Sequence, residues 1–292
     1  LATGDIGGSP EMCEAYAPIC AEYGQPRSQY TPAGVNTGDG HKMGLWVGAH
    51  MQDGPFPLML HPQACSMFHG CFPFVNQEGH RFMNEGTWVQ GKSMNVMHQT
   101  GNVAWSIFDA DYGKYNRMSL ENGTGGGMFW DTFRPYGSDY QVAVDGHTKT
   151  VENGIAETPD YYKRADTLEE LAEMLDVDKD EFLKSVERYN KMCEQGEDTD
   201  FYKEGHFLYP IKEGPFTACM VAPGLLGVCG GIHISDNFEV LNENDEPIPG
   251  LYAIGNCAGD IYAVDYPINI QGNSHGRCLV QGKCLGEQLA GV

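Results

Sequence analysis

The spacing of apolar residues predicts two amphipathic helices in the second half of the chain. In residues 167–175 apolar side chains recur every three or four positions, and Thr167 begins a capping box. A second stripe of the same period runs through residues 179–195, between a capping Asp178 and Gly196, a residue type that commonly ends helices. Both stripes indicate helices that pack one face against a core and leave the other in water.

A second pattern occurs three times: a glycine turn that follows a short run of residues and leads into a helix. It is found within residues 1–16, 37–51 and 250–290. In the first of these segments Ser9 caps a helix whose first residue is Pro10. Such turns are typical of the strand ends of a nucleotide-binding α/β sheet, where the backbone approaches a cofactor too closely for side chains.

The order of these segments predicts the domain organisation. The glycine turns lie near the two ends of the chain, and the region between them has long polar loops, many aromatic residues and the two amphipathic helices. We expect an α/β fold in which a sheet domain is interrupted by an inserted domain. In the last helix we expect Leu279, Val280, Cys284 and Leu285 to form the inner face.

Composition and charge narrow the possible partners. The chain has 292 residues, 41% of them hydrophobic, so it can bury one large core or two ordinary ones. Its 18 Lys and Arg against 40 Asp and Glu give a formal charge of −22, which repels phosphate backbones and anionic lipid, so we expect no nucleic-acid partner. No apolar run reaches the roughly 18 residues of a membrane span. No targeting signal is readable in a chain that begins with Leu, and its localisation stays open.

The ten cysteines are too dilute for a disulfide scaffold, and no two have the C-x-x-C spacing. We expect most of them to be buried free thiols. One alternative stays open, an iron–sulfur cluster held by Cys65, Cys71, Cys219 and Cys229. These four have no metal-binding spacing, and no other metal site is predicted.

Several segments together resemble one protein family, in the same order along the chain. They include LATGDIGG at residues 1–8, TGDG at 37–40, NQEGHRFMNE at 76–85, PIPGLYAIGN at 247–256 and GNSHGRCLVQGKCLGE at 272–287. The chain resembles the C-terminal two thirds of the FAD-dependent fumarate reductase and succinate dehydrogenase flavoprotein superfamily. No single motif is specific, but so many in register make a chance match implausible.

The resemblance implies a Rossmann-like FAD-binding domain interrupted by an α+β capping domain. The FAD-binding parts would be residues 1–61 and 211–292, and the capping domain residues 62–210, with the substrate between cap and flavin. The family's first βαβ unit, which carries G-x-G-x-x-G and the pyrophosphate site, would precede residue 1. We therefore expect this chain by itself to bind FAD poorly or not at all.

The resemblance also implies which residues meet the cofactor. The implied contacts are the backbone of Ala2, Thr3 and Gly4; Gly38 and Asp39 at the ribose or ribityl part; Gly255 and Asn256 at the ribityl chain; and Asn273, Ser274 and His275 at the pyrimidine edge of the flavin. Asn256 departs from the family, which commonly has Glu at this position, but an amide still offers a donor and an acceptor.

The substrate ligands of the family are largely absent. Fumarate reduction requires hydride from the flavin, a cationic clamp for two carboxylates and an Arg as proton donor. In register with the motifs, the two Arg positions fall on Val89 and Asn269, and one substrate His falls near Gly227. Only His61 is retained. A small dicarboxylate would keep unpaired charge in such a desolvated pocket, so we expect an alkene substrate larger and less charged than fumarate.

Three residues are candidate proton donors: His61, Tyr262 and Lys92, each able to donate and each in a segment expected near the flavin. Arg81 and Glu85 are instead expected to form a buried pair that holds a loop of the capping domain. Apolar walls for the substrate would come from Phe68, Phe72, Phe74, Trp88, Tyr262 and Tyr266.

Two other functions stay open. Loss of the catalytic Arg positions favours a non-catalytic, flavoprotein-like binding or scaffold subunit, and the cysteine count permits an iron–sulfur flavoprotein reductase. The enzyme hypothesis implies two partners: a small unsaturated substrate, and an electron-donating cytochrome or reductase.

Overall fold

The chain forms two compact units. The computed structural model describes residues 1–24, 27–30, 34–66, 70–121, 140–267, 270 and 272–291. Unit 1 comprises Leu1–Leu60 and Gly224–Val292, and unit 2 comprises His61–Pro223. Unit 1 is thus interrupted along the sequence by unit 2, whose role as a capping domain stays a prediction.

The elements mix helices and strands along the whole chain. The helices are α1 (Pro10–Tyr16), α2 (Asp39–Trp46), α3 (Val89–Met97), α4 (Tyr112–Glu121), α5 (Tyr140–Glu157), α6 (Leu168–Leu175), α7 (Lys179–Gln195) and α8 (Asn273–Ala290). The strands are β1 (Leu58–His61), β2 (Phe74–Val75), β3 (Ala104–Phe108), β4 (Tyr162–Ala165), β5 (Phe216–Val221), β6 (Gly224–Val228), β7 (Glu239–Leu241) and β8 (Pro247–Tyr252).

Unit 1 contains two pairs of strands. β1 pairs with β6, and β7 pairs with β8 as an antiparallel hairpin. The buried carboxylate of Asp5 fastens the first glycine turn to β6, because it accepts hydrogen bonds from the N–H groups of Gly7 (3.0 Å) and Val228 (3.0 Å). α1 begins as predicted: Ser9 Oγ accepts a hydrogen bond from the N–H of Met12.

Unit 2 is a four-stranded antiparallel sheet with helices on both faces, in the strand order β2-β3-β5-β4. Because successive side chains of a strand point to opposite faces, β3 contributes to two cores. Trp105 and Ile107 pack in a cluster with residues of α6 and α7, whereas Phe108 packs with Tyr112 of α4 and Val151 of α5.

The two amphipathic helices of unit 2 are confirmed with their predicted ends. Thr167 and Glu170 form the capping box of α6, with Thr167 Oγ1 accepting from the N–H of Glu170 at 3.2 Å. Asp178 caps α7, and Gly196 ends it in the left-handed conformation with φ 72°. These signals act between neighbouring residues, so the sequence predicts them well.

Unit 2 extends to Pro223, past residue 210, where the capping domain is predicted to end; the domain boundaries stay a prediction. β5 lies between these two positions, and it is a central strand of the sheet of unit 2, paired on one side with β3 and on the other with β4. These pairings join residues far apart in sequence and leave no local signal.

The expected inner face of α8 is wrong for three of its four residues. Leu279 is 76% exposed, Val280 is 62% exposed and Cys284 is also exposed, whereas Leu285 is buried as predicted. The buried face carries Ser274, Arg277, Gln281 and Leu285. Hydrogen bonds from polar side chains on this face fix the rotation of the helix, as the site below shows.

Two predicted residues, Phe68 and Asn269, lie outside the described residues. Among the helices of the part that is described, none combines the length and apolar character needed to cross a membrane.

Candidate functional site

Unit 1 brings three of the predicted cofactor segments together. The N–H of Ile254 donates to the carbonyl of Leu1 at 3.0 Å, which joins the segment before Gly255 to the beginning of the chain. Thr3 Oγ1 donates to the Sγ of Cys257 at 3.8 Å. A Cβ added to Gly40, in the first turn of α2, would lie only 2.2 Å from Thr3 Oγ1. The segments containing Ala2 to Gly4, Gly38 to Asp39 and Gly255 to Asn256 are therefore neighbours.

The N-terminus of α8 joins the same cluster. Ser274 Oγ donates to Asn256 Oδ1 at 3.1 Å, and the N–H of Gly255 donates to Gln281 Oε1 at 2.8 Å. The N–H of Ser274 also donates to the hydroxyl of Tyr266 at 2.8 Å. These bonds hold one polar face of α8 against the turn at Gly255, and they place the predicted Asn273, Ser274 and His275 beside Asn256.

Glycines provide the sharp turns in this cluster. Gly4, Gly38 and Gly255 have φ values of 84°, 74° and 66°, in the left-handed region that disfavours side chains. Gly38 is the N-cap of α2 and supplies no side chain to its first N–H groups, which leaves them for another acceptor. Ala2, Thr3 and Asp39 are exposed, so the cluster presents backbone and one carboxylate at the surface of unit 1.

Arg277 is a candidate site residue that the sequence did not reveal. Its Nη2 donates to Asn256 Oδ1, and its guanidinium carbon lies 4.8 Å from the centre of the Tyr262 ring. Its Nε and Nη1 are buried and, within the described residues, have no hydrogen-bond partner. The Tyr262 hydroxyl is likewise buried and unpartnered in that part of the chain. The sequence does hold one signal for Arg277: it lies one turn from a helix N-terminus, where the helix dipole does not stabilise a cation.

The surroundings of Tyr262 are mainly apolar. Its ring meets that of Tyr266 edge to face at 5.5 Å, and both rings pack with Met59 and Cys229 in one buried cluster. Burial raises the pKa of Tyr262, and the neighbouring Arg277 guanidinium offsets part of this rise. Tyr262 is therefore a neutral phenol at physiological pH, with its hydroxyl available as a donor.

The other two candidate proton donors belong to unit 2. His61 is the last residue of β1 and is 3% exposed, and burial lowers its pKa to about 4, so its imidazole is neutral at pH 7. Lys92 is fully buried on α3, where its Nζ donates to the carbonyl of Gly70 at 2.6 Å and lies 5.8 Å from the centre of the Phe74 ring. These contacts engage the Lys92 ammonium in fixing the loop at Gly70.

The predicted buried pair is present in unit 2 and belongs to a larger network. Arg81 Nε donates to Glu85 Oε1 at 2.8 Å, and Arg81 Nη2 reaches Asp198 at 2.6 Å. Lys203 Nζ lies 3.3 Å from the second oxygen of Glu85. Burial by itself would raise the pKa of Glu85, but the Lys203 and Arg81 cations hold it below its usual range. The network is structural, since every charge in it has an opposite partner.

The aromatic wall candidates divide between core and surface. Phe72 and Phe74 are buried in two apolar clusters of unit 2, whereas Trp88 is 38% exposed at the beginning of α3. Val89, at a family Arg position, is buried next to it. Tyr262 and Tyr266 are the wall candidates that lie beside the cofactor cluster of unit 1.

No metal centre is found in the residues that the structure describes. No three His, Cys, Asp or Glu side chains there lie close enough together to hold an ion. The four cysteines of the iron–sulfur hypothesis differ in their surroundings: Cys71 and Cys219 pack in an apolar cluster, Cys229 packs against the two tyrosines, and Cys65 is partly exposed.

The cluster in unit 1 suits a flavin nucleotide. Left-handed glycines let the backbone approach a ligand closely, and the amide of Asn256 sits between Ser274 and Arg277. The unpartnered donors of Arg277 and Tyr262 lack an acceptor that a carbonyl-rich ring or an anionic substrate would supply. The residues present therefore fit such a cofactor.

Comparisons with known proteins agree with this geometry. A family model described as FAD binding domain matches residues 1–269. A vinyl phenol reductase of Lactiplantibacillus plantarum is 26% identical over 99% of this chain and 59% of its own length. A fumarate reductase (cytochrome) of Shewanella frigidimarina is 30% identical over 74% of this chain, which covers 31% of that protein.

A solved structure extends the comparison to the fold. The open conformation of a flavocytochrome c3 fumarate reductase aligns with 98% of this chain and 45% of its own, at a TM-score of 0.67 and 26% identity. The chain spans between about a third and three fifths of the length of these relatives. The predicted family and α/β fold class are confirmed: the chain belongs to the FAD binding domain family of flavin-dependent oxidoreductases, and its cofactor is FAD.

Proposed function

We propose that the chain is part of an FAD-dependent reductase that reduces an activated C=C bond in a substrate larger and less charged than fumarate. The observation that carries this proposal is the pairing in unit 1 of one buried cation, Arg277, with the aromatic rings of Tyr262 and Tyr266. The names of the relatives agree in reaction type, since a vinyl phenol reductase and a fumarate reductase both saturate an alkene.

Reduction of an alkene requires the transfer of a hydride to one carbon and of a proton to the other. FAD, when bound and reduced, would supply the hydride for one alkene carbon. A proton must reach the other carbon, and we assign it to the Oη of Tyr262, which is protonated and has no competing partner within the described residues. The adjacent Arg277 guanidinium stabilises the phenolate that remains until water returns the proton.

The remaining residues hold the reactants. In the first turn of α8 the N–H groups of Asn273 and Ser274 already donate to Ile270 and Tyr266, so the N–H of His275 would bind the carbonyl edge of the flavin, and the Ser274 bond to Asn256 fixes that turn. Gly4, Gly38 and the Gly255 turn would receive the nucleotide chain with backbone alone. His61 stays a candidate substrate ligand on the resemblance alone, and its imidazole would be neutral at pH 7, because burial lowers its pKa to about 4.

The reduced cofactor must be regenerated by a second protein or domain. We propose an electron-donating cytochrome or reductase, the class that the name of the cytochrome-type fumarate reductase indicates for that relative. Lys92 has no part in this scheme, because its ammonium is engaged with Gly70.

A turnover assay tests the proposal. The full-length protein, loaded with FAD and supplied with a reduced viologen, is offered fumarate, acrylate, urocanate, cinnamate and 4-vinylphenol, and products are measured by mass. Saturation of the aromatic alkenes, at rates at least tenfold above that of fumarate, is expected. Faster reduction of fumarate contradicts the assigned substrate class.

The same assay separates the enzyme from a scaffold. Val89 is buried at the position of the family proton donor, which favours a non-catalytic subunit unless another donor replaces the missing Arg. No reduction of any alkene by protein that holds a full complement of FAD would support the scaffold and refute the reductase.

A further inference from the structure

Around Arg277 there are more hydrogen-bond donors than acceptors. Its side chain is buried, with 8% of the residue exposed, and Nη2 is satisfied by Asn256 Oδ1. Nε and Nη1 are buried and, in the described part of the chain, have no hydrogen-bond partner. A buried cation with unused donors is unfavourable unless a ligand supplies the acceptor.

Tyr262 adds a third unused donor at the same place. Its ring lies against the guanidinium at 4.8 Å, and its buried hydroxyl has no partner within the described residues. Met59, Cys229 and Tyr266 complete the surroundings with apolar surface. The site thus combines one positive charge and one neutral hydroxyl in an environment of low polarity, where a charge-assisted hydrogen bond is strong.

We propose that Arg277, through its unused Nε and Nη1 donors, binds a single delocalised oxyanion of a ligand, next to the Tyr262 hydroxyl that delivers the proton. The inference rests on the proposed function and narrows its substrate to alkenes with one acidic group. Two sources share this chemistry: the carboxylate or phenolate of the substrate, and the carbonyl edge of the flavin, which becomes negatively charged on reduction.

The charge count at this site favours one anion over two. Within the described residues Arg277 is the cation of this cluster, and it has unused donors for one more acceptor. A dicarboxylate would therefore bury one negative charge without a partner, which a monoanionic substrate avoids.

The experiment compares Arg277→Gln with a matched control in the FAD-loaded, full-length protein. Lys283→Gln removes one positive charge from the exposed side of the same helix, where Lys283 is 74% exposed and pairs with Glu287. Two quantities are measured for each variant: the dissociation constant of benzoate, a monoanionic aromatic probe, from changes in the flavin absorbance, and the two-electron midpoint potential of the flavin.

Either of two results supports the proposal and identifies the source of the oxyanion. If the substrate supplies it, Arg277→Gln weakens benzoate at least tenfold and leaves the potential at the control value. If the flavin supplies it, benzoate is unaffected and the reduced form is destabilised about tenfold, which lowers a two-electron potential by about 30 mV. The proposal is overturned if both the benzoate affinity and the flavin potential of Arg277→Gln equal those of the Lys283→Gln control.

A second variant keeps the test decisive if Arg277→Gln does not fold. Arg277→Lys retains the charge but cannot present two parallel donors to a delocalised oxyanion. We expect Arg277→Lys to change the affected quantity in the same direction as Arg277→Gln and by a smaller factor; values equal to those of the Lys283→Gln control overturn the proposal. Because neither measurement requires turnover, absence of alkene reduction would refute the proposed function and leave this result intact.

Discussion

Replacing Arg81 by Met removes the cation at the centre of the buried network of unit 2. Met keeps much of the side-chain volume between the Tyr189 and Phe201 rings, which lie 5.1 and 5.0 Å from the guanidinium, so the charge is the main loss. The change deletes two hydrogen bonds to Glu85 and one to Asp198.

The expected cost follows from what remains. Removing one partner of a buried ion pair typically costs about 3–5 kcal/mol, because the other charge stays buried. Glu85 keeps Lys203 at 3.3 Å and the N–H of Phe74 at 3.1 Å, and Asp198 keeps the N–H groups of Asp200 and Phe201. We therefore expect the lower end, about 3 kcal/mol, which is roughly a hundredfold rise in the opening equilibrium of unit 2.

Hydrogen exchange of the β3 and β5 amides, followed by mass spectrometry, measures this opening without assuming that both units unfold together. Arg188→Met is the matched control: Arg188 is 64% exposed and pairs with Asp200 in the same loop, so its loss should change exchange far less. Equal exchange rates in the two variants would refute the assignment of the network as the main electrostatic support of unit 2.

Three further predictions concern the proposed proton path and the pH dependence. Tyr262→Phe should lower alkene turnover by about 10²- to 10⁴-fold while FAD absorbance is retained; unchanged turnover removes the hydroxyl from the mechanism. His61→Ala should lower turnover with FAD still bound. Burial lowers the pKa of His61 to about 4, so the pH profile of turnover in the unmodified protein should show no inflection near pH 6.5 that belongs to His61. The pKa values of Glu85 and of Asp198, the latter at about 2, are depressed in the folded state, so their stabilisation is complete above about pH 4.5 and is lost as the pH falls toward 2. Hydrogen exchange of unit 2 between pH 5 and 2.5 checks this, and an opening equilibrium that stays constant over that range contradicts it.

The sequence predicted best what neighbouring residues decide. The ends of α6 and α7 and the first turn of α1 depend on caps within three residues, and all are present. The pair of Arg81 and Glu85 is spaced by four residues and was also found. The family motifs are read in register, so recognition of the FAD binding domain needs no knowledge of packing.

The rotation of α8 and the position of Arg277 could not be predicted in the same way. The helix has apolar residues on more than one side, and its buried face is selected by Asn256 and Gly255, which bond Ser274 and Gln281 from about 20 residues away. Those polar contacts outweigh the burial of Leu279 that periodicity favours. The same rotation turns Arg277 inward onto Tyr262, which makes a residue that resembles a surface Arg the buried cation of the site.

The most direct test of the central claim is the reoxidation of the flavin by an alkene. The FAD-loaded, full-length protein is reduced without oxygen and mixed with 4-vinylphenol or with fumarate, and the absorbance near 450 nm is followed. Recovery of the oxidised flavin spectrum with 4-vinylphenol, accompanied by one equivalent of 4-ethylphenol and at least tenfold faster than with fumarate, is the predicted result. A flavin that stays reduced with every alkene, or that fumarate reoxidises faster, would contradict a reductase of larger and less charged alkenes.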